Sequence, residues 1–453
     1  MALRIDDPAW QDCPAGWEQP FQPIEPGWEL YPKLADLFPW QHTGVNSNRN
    51  WVWAPNVATL WRRWSTLIHA SSVSKSALFK ETDTCSLDRR CEALLGLPSG
   101  EQPVREERKE IPATVRVVFR SFDRQYLIHD RRVIDRPRPE LWQVLSEAQI
   151  YVSEQHAHSF TQGTALTFSA LVPNVDHFNA RGGRVLPLYR DRKNREPNVA
   201  PGLLATLSRL IGMQLNAEDL LAYIAAIVAH PVYTRRFRDK LTTPGIRVPI
   251  SADAELWQEA IEIGSEVLWL HTYGERYVDP AAGRPHETPT LLAKERPIMT
   301  VAIPSSEEQM PNSIKYDTKS KTIIIGEHPR SGRITQVNPS IWEYTVGGYQ
   351  VVPRWFSYRQ RNPSRKKRTS ALDEINPTCW TAQFDDELLA LLNVLGRCVA
   401  LEPRQAELLD RVCDGPSVTI ADLERQGVLP VPDAFCKPPP LLPQDRIPGL
   451  DEL

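Results

Sequence analysis

The chain has 453 residues, 41% of them hydrophobic and 24% charged, the balance of an ordinary globular protein with room for two or three domains. Its formal net charge is −3, so a nucleic-acid-binding role cannot rest on global charge and needs basic residues gathered on one face. Forty prolines, about twice the usual share, predict many irregular connections.

The seven cysteines (Cys13, Cys85, Cys91, Cys379, Cys398, Cys413 and Cys436) contain no CxxC pair, which speaks against a zinc finger and for reduced thiols. The N-terminus lacks the pattern of a signal peptide, and the apolar run that includes Tyr223 to Ala229 is too short to span a bilayer. A soluble cytoplasmic protein is expected, with no membrane partner.

Residues 1–40 hold seven prolines together with Trp10, Trp17, Trp28 and Trp40. They read either as an extended arm lying on a partner or as one packed on its own domain. Helix begins after Pro55, where Val57, Leu60, Trp61 and Trp64 form an apolar stripe. Residues 99–111 look like a polar surface loop.

Short strands are expected at Val115 to Phe119 and Gln125 to Asp130, and Leu141 to Val152 as a helix leading into a strand. A further strand is expected at Val185 to Tyr189. Amphipathic helices follow at Leu203 to Ile211, from Asn216 to near His230-Pro231, and at Ala254 to Leu270. Then come a hairpin over residues 314–326 and strand-like runs at 334–337 and 349–358. Residues 383–412 are helical, and the Pro-rich tail from Leu429 is extended or disordered.

The fold class is therefore α+β, with β-rich recognition segments braced by a helical region. Five stretches are expected: an arm and helical linker (1–110), a β-rich part (111–200), a helical spacer (201–300), a second β-rich part (301–382), and C-terminal helices with the tail (383–453).

No catalytic centre is visible. The Gly-rich cofactor turn and the Asp/Asn-Pro-Pro-aromatic loop of an amino-methyltransferase are missing, as is a phosphate-cradling GxxxxGK[ST]. His156 and His158 form an HxH pair with His177 beyond, but no acid or cysteine completes a metal set, and they read as surface or hydrogen-bonded histidines. No cofactor is called for.

What remains is basic. Residues 115–138 carry Arg116, Arg120, Arg124, Arg131, Arg132, Arg136 and Arg138 against Asp123, Asp130 and Asp135. Arg181 and Arg184 flank a Gly-Gly turn, with Arg190, Arg192, Lys193 and Arg195 following. Residues 359–368 supply Arg359, Arg361, Arg365, Lys366, Lys367 and Arg368 with no acid. The planar fork of arginine grips phosphate, or O6 and N7 of guanine, through two hydrogen bonds, while lysine neutralises backbone charge. Against this stands pairing of some of these arginines with the aspartates inside the fold, or plain solvation of a surface loop.

These segments resemble the C-terminal half of type ISP restriction–modification enzymes, which combine nuclease, helicase-like ATPase, adenine-specific DNA methyltransferase and target-recognition parts in one chain. HTGVNSNRNWVW (42–53) resembles the Gly-Val-x-Thr-Gly-Arg-Asp-like element that ends the methyltransferase domain; Gly44, Val45 and Arg49 match, while Ser47, Asn48 and Asn50 depart from it. FRSFDRQYLIHDRRVIDRPRPELW (119–142), LPLY (186–189), YIAAIVAHPVYTRRFRDKL (223–241), IRVPI (246–250), LWLHTYGE (268–275) and IWEYTVGGYQVVPRWFSYR (341–359) resemble successive family blocks, in order.

The resemblance implies a target-recognition domain with a helical spacer that binds double-stranded DNA and serves a methyltransferase, helicase and nuclease partner. The chain is then either a specificity subunit or a remnant of a longer enzyme. Two other functions stay open: a diverged adenine methyltransferase, and an interaction subunit that does not bind DNA.

Overall fold

In the computed structural model the residues described are 27–156, 162–178, 183–327, Pro329, 331–361 and 370–443. They fold around two hydrophobic cores. The smaller is built mainly from residues between Trp40 and Val144, and the larger takes in the rest of the fold up to Val428. The large core is shared by the 201–300 helices, the 301–382 sheet and the C-terminal helix, so these stretches are packed into one body.

The smaller core starts from strands β1 (Trp53–Ala54), β2 (Thr114–Arg120) and β3 (Asp123–Ile128), an antiparallel sheet in the order β1-β3-β2. Helix α1 (Val57–His69) covers it. The side chain of Asn56 accepts a hydrogen bond from Thr59 N at 2.9 Å, satisfying a donor that the first turn leaves open. The buried stripe is Leu60, Trp64, Leu67 and Ile68. Val57 and Trp61, expected on that stripe, are 38% and 52% exposed, because the face that meets the sheet is rotated toward Arg63 and Leu67. Helix α2 (Ser72–Phe79) follows.

A second antiparallel sheet, β5-β4-β6, consists of β4 (Tyr151–Gln155), β5 (Leu166–Ser169) and β6 (Gly183–Pro187). Tyr151, Ser153 and Gln155 alternate with Val152 and Glu154, so the first set shares one face and the second set the other. The two sheets meet at the β2–β3 turn. Val118 N donates to Val172 O at 3.2 Å and Ser121 N to His177 O at 2.7 Å.

The helical centre consists of α3 (Leu203–Ile211), α4 (Ala217–Val228) and α5 (Ala254–His271). A capping box between Asn216 and Asp219 opens α4, and almost every side chain of α4 is buried. Gly264 of α5 lies against the Ala222 carbonyl; a Cβ there would stand 1.7 Å from that oxygen, so only glycine allows this approach. Tyr223 and Trp257 stack with centroids 3.9 Å apart.

A third, four-stranded antiparallel sheet, β7-β10-β9-β8, contains β7 (Ile298–Val301), β8 (Ile314–Asp317), β9 (Thr322–Ile325) and β10 (Gly332–Thr335). The expected hairpin is β8–β9. Beyond it the two-residue strands β11 (Thr345–Val346) and β12 (Tyr349–Gln350) pair across Gly347 and Gly348.

The 349–358 run, expected as a strand, is instead mostly helix α6 (Val351–Ser357). Its buried side chains Val351, Val352, Trp355 and Phe356 recur at helical spacing, and Pro353 falls in the first turn, where no amide donor is needed.

Helix α7 (Ala382–Asp414) runs along α5, tied to it by Arg397–Glu266, Arg404–Glu262 at 3.1 Å and Arg411–Glu259 at 2.7 Å, an antiparallel ladder.

Both ends of the described residues pack on the fold. Trp28 and Trp40 are buried in their own chain, with Trp28 packed on Phe237 at 4.9 Å, so the described part of the arm is self-packed. Trp10 and Trp17 lie outside the described residues. The tail to Pro443 is ordered on the small-core side: Arg190 donates to Phe435 O and Lys437 O, and Gln143 Nε2 to Pro440 O at 3.1 Å. No helix among the described residues is long and apolar enough to cross a membrane.

Candidate nucleic-acid interface

The arginines of the 115–138 block divide by what surrounds them. Arg132 is 1% exposed, 2.6 Å from Asp130 and 3.1 Å from Glu107. Arg359 is fully buried, 2.9 Å from Asp123 and 3.1 Å from Glu387, with its guanidinium 3.8 Å from the Trp355 ring centroid. Both were expected at DNA. Their burial and pairing make them internal struts, because a guanidinium keeps its charge and is costly to bury unless carboxylates stand beside it.

Arg124 is also largely spoken for. It reaches Glu275 at 2.6 Å and Thr272 O at 2.8 Å, and lies over Tyr273. Arg131 donates to Glu92 O at 2.6 Å. Arg49 of the 42–53 element is 1% exposed and donates to the carbonyls of Phe79 and Cys85. It anchors the loop after α2, and burial lowers its pKa.

Of the remaining described cations, Arg116 pairs with Glu387 at 2.7 Å, and Arg120, Arg136 and Arg138 lie along one edge, connected residue by residue. Arg120 ends β2 beside the tight turn at Phe122, whose φ is +61°. It donates to Asn174 Oδ1 at 3.2 Å. Asn174 pairs with Val45, and the neighbouring Asn46 exchanges backbone hydrogen bonds with Arg136 at 2.7 and 3.0 Å. Gly44 makes this crossing possible, since a Cβ there would stand 2.4 Å from Asn174 O.

Arg136 is exposed. Arg138 is half-buried beside it, and burial together with the Arg136 charge lowers its pKa. Arg184 on β6 donates to Gln41 Oε1 at 2.6 Å. Arg192 and Lys193 are exposed on a loop that is wound around Asp191, which accepts from the backbone amides of Lys193, Arg195 and Glu196. Arg361 is exposed as well, and donates to Glu308 O. Arg181, Arg365, Lys366, Lys367 and Arg368 lie outside the described residues.

Sequence reasoning missed two residues at this edge. Tyr349 stands 48% exposed at the Gly347-Gly348 turn, and the Arg354 guanidinium lies 4.0 Å from its ring centroid. With Arg120 and Phe178 they line a small cavity. The available signal was the Gly-Gly-Tyr sequence followed by an arginine five residues on, which places the arginine one helical turn inside α6 and under the tyrosine.

His177 is buried beside Gly183 and its Nδ1 lies 2.6 Å from Asn174 O; desolvation depresses its pKa to about 4. His156 lies 3.3 Å from Glu154, and His158 is outside the described residues. Among the described residues no three His, Cys, Asp or Glu side chains gather as a metal site. Chemically the edge offers dispersed guanidinium groups, hydrogen-bond donors and an aromatic tip, suited to a polyanion with flat bases.

A family model described as the Type ISP C-terminal specificity domain matches residues 36–391. No curated protein matches. Among solved structures, the chain is similar to the ATP-dependent Type ISP restriction-modification enzyme LlaBIII bound to DNA, at 18% identity and a TM-score of 0.53, covering 83% of this chain and 23% of that one. It is similar to DrdV in its DNA complex at 14% identity and a TM-score of 0.56, covering 87% and 39%. It is also similar to a nuclease-deletion mutant of the Type ISP enzyme LlaGI in complex with a DNA substrate mimic, at 15% identity and 0.51, covering 84% and 28%. The chain thus spans between 23% and 39% of the length of these proteins, and at such identities the likeness is one of fold.

Proposed function

The chain belongs to the family of Type ISP C-terminal specificity domains, and from that premise we propose that it recognises a specific sequence in double-stranded DNA. It does so as the specificity part of a type ISP-like restriction–modification or phage-defence system in the cytoplasm. The supporting observation is the family match over residues 36–391, which runs through both β-rich parts and the helices between them.

In this account residues 111–200 and 301–382 carry recognition, and 201–300 serve as spacer. Among the described residues, Arg120, Arg136, Arg138, Arg184, Arg192, Lys193 and Arg361 are the proposed DNA contacts. Arg181, Arg365, Lys366, Lys367 and Arg368 are proposed contacts from sequence alone. Arg124 and Arg131 contribute only if DNA displaces their present partners. Adenine methylation, DNA translocation and cleavage are supplied by partner subunits or by further parts of a longer chain.

The test is binding of the purified chain to mixed-sequence duplex DNA at about 50 and 200 mM salt. Neutralisation of several phosphates predicts a loss of roughly 10³ in affinity over that range. Absence of binding at the lower salt concentration contradicts autonomous DNA recognition.

A further inference from the structure

We propose that Tyr349 is a base-stacking probe: its ring stacks on a nucleobase at one step of the bound duplex, and Arg354, released from beneath it, takes a neighbouring phosphate. The inference rests on the DNA-recognition account above and assigns one residue of it a distinct role.

Four observations point to this. The first is exposure on a closed turn. Tyr349 is 48% exposed, yet its hairpin is closed by the pairs Thr345↔Gln350 and Val346↔Tyr349 around Gly347 and Gly348, whose φ values are +56° and +81°. Two positive-φ residues in a two-residue loop make the turn type that matches strand twist and holds a tight hairpin.

The second is anchorage from below. Val346 is buried and bridged to Thr164, Tyr344 is buried, and Val351 N donates to Tyr344 O at 3.0 Å. Gly163 is pressed so close that a Cβ would stand 2.1 Å from Thr345 O. The tip therefore projects from a fixed base, and an aromatic side chain with two torsions loses little entropy when it stacks.

The third is the company the ring keeps. The Arg354 guanidinium lies against it at 4.0 Å, and Arg354 Nη1 is shielded from solvent with no hydrogen-bond partner among the described residues. A buried donor without a partner calls for one. If the ring turns toward a base, Nη1 is uncovered, and a phosphate oxygen supplies the acceptor.

The fourth is charge. The cavity beneath the tip is lined by Arg120 and Arg354, and its carboxylate among the described residues, Asp123, is held by Arg359 at 2.9 Å. A positive setting around an exposed aromatic ring favours an anionic strand with flat bases over an acidic or apolar protein surface.

The experiment compares wild type with Tyr349→Ala, Tyr349→Phe and Arg354→Gln on a duplex recovered by selection from random sequences and on a mixed-sequence duplex. Each position of the selected duplex is also replaced in turn by 2-aminopurine, whose fluorescence reports unstacking. Tyr349→Ala is expected to weaken binding to the selected duplex about tenfold or more, with a smaller loss on the mixed duplex and an unchanged salt slope. It is also expected to abolish a fluorescence change confined to one step. Tyr349→Phe keeps both, and Arg354→Gln lowers the salt slope by about one. Equal binding by wild type and a folded Tyr349→Ala, or the absence of any localised fluorescence change with wild type, overturns the proposal and leaves DNA recognition standing. Failure of wild type to bind duplex DNA at all overturns both.

Discussion

Arg132 and Arg136 stand on one short segment and meet opposite surroundings. Arg132 is enclosed between Asp130 and Glu107, whereas Arg136 is exposed and held by backbone hydrogen bonds to Asn46. Removing one partner of a buried pair strands the other charges in low dielectric, so Arg132→Ala is expected to lower stability by about 3–5 kcal/mol. Arg136→Ala should stay within about 0.5 kcal/mol of wild type while lowering the salt slope of DNA binding by about one. Urea unfolding and duplex titration of the two variants check this. Equal destabilisation by both would contradict the division between struts and contacts. Residue type alone does not reveal it: in RRVIDRPR the sequence allows both DNA contact and pairing with aspartates, and only the fold shows Arg132 buried and Arg136 exposed.

At the scale of elements, local rules predicted the pieces whose signals are short-range. The β2–β3 hairpin, α3, the capping-box start of α4 and the length of α5 all follow from caps, turn residues and apolar spacing. Two elements went the other way because tertiary packing decided them. Helix α6 is built from β-branched and aromatic residues that read as strand, and its identity comes from burying Val352, Trp355 and Phe356 along one face. The buried face of α1 leaves out Trp61, which sequence periodicity placed inside.

Of the candidate site, the family block was legible, but Arg354 and Tyr349 were not, since a stacked cation is a matter of three-dimensional approach. The α4–α5 contact gives the element-scale prediction. Gly264→Ala puts a methyl group into the Ala222 carbonyl, and backbone on both sides leaves little room to yield. A loss of about 1–3 kcal/mol or more is expected in urea unfolding. An unchanged midpoint would mean that the two helices can separate freely.

The whole molecule carries its acid sensitivity in buried imidazoles. His177 is depressed to about 4, and His230 and His271 to about 3, all chiefly by desolvation. The ordinary value is 6.5, so below that pH the unfolded chain takes up protons that the folded chain refuses. Stability is full above about 6.5 and declines as pH falls toward the folded values. Glu402 opposes this: burial raises its pKa from 4.5 to about 7, so its share of stability falls as pH rises through that interval. His129 is lowered by burial as well, and of the carboxyls raised by burial (Asp219, Asp385 and Glu402) only Glu402 is pushed as far as about 7. A lower urea midpoint is therefore predicted at pH 5 than at pH 7, and an equal or higher midpoint at pH 5 would refute the assignment.

The central claim is sequence-specific recognition, and it also belongs to the whole molecule, because the cationic edge is assembled from β2, the 42–49 segment and the α6 region, which draw on both hydrophobic cores. The measurement that tests it most directly is repeated selection of bound duplexes from a random-sequence pool by the purified chain. Sequence-specific recognition predicts convergence on one short recurring motif. That motif should be bound roughly 10³-fold or more tightly than mixed-sequence duplex at the same salt concentration. A retained pool with the composition it started with would show that this edge holds phosphates without reading bases, and would contradict the claim.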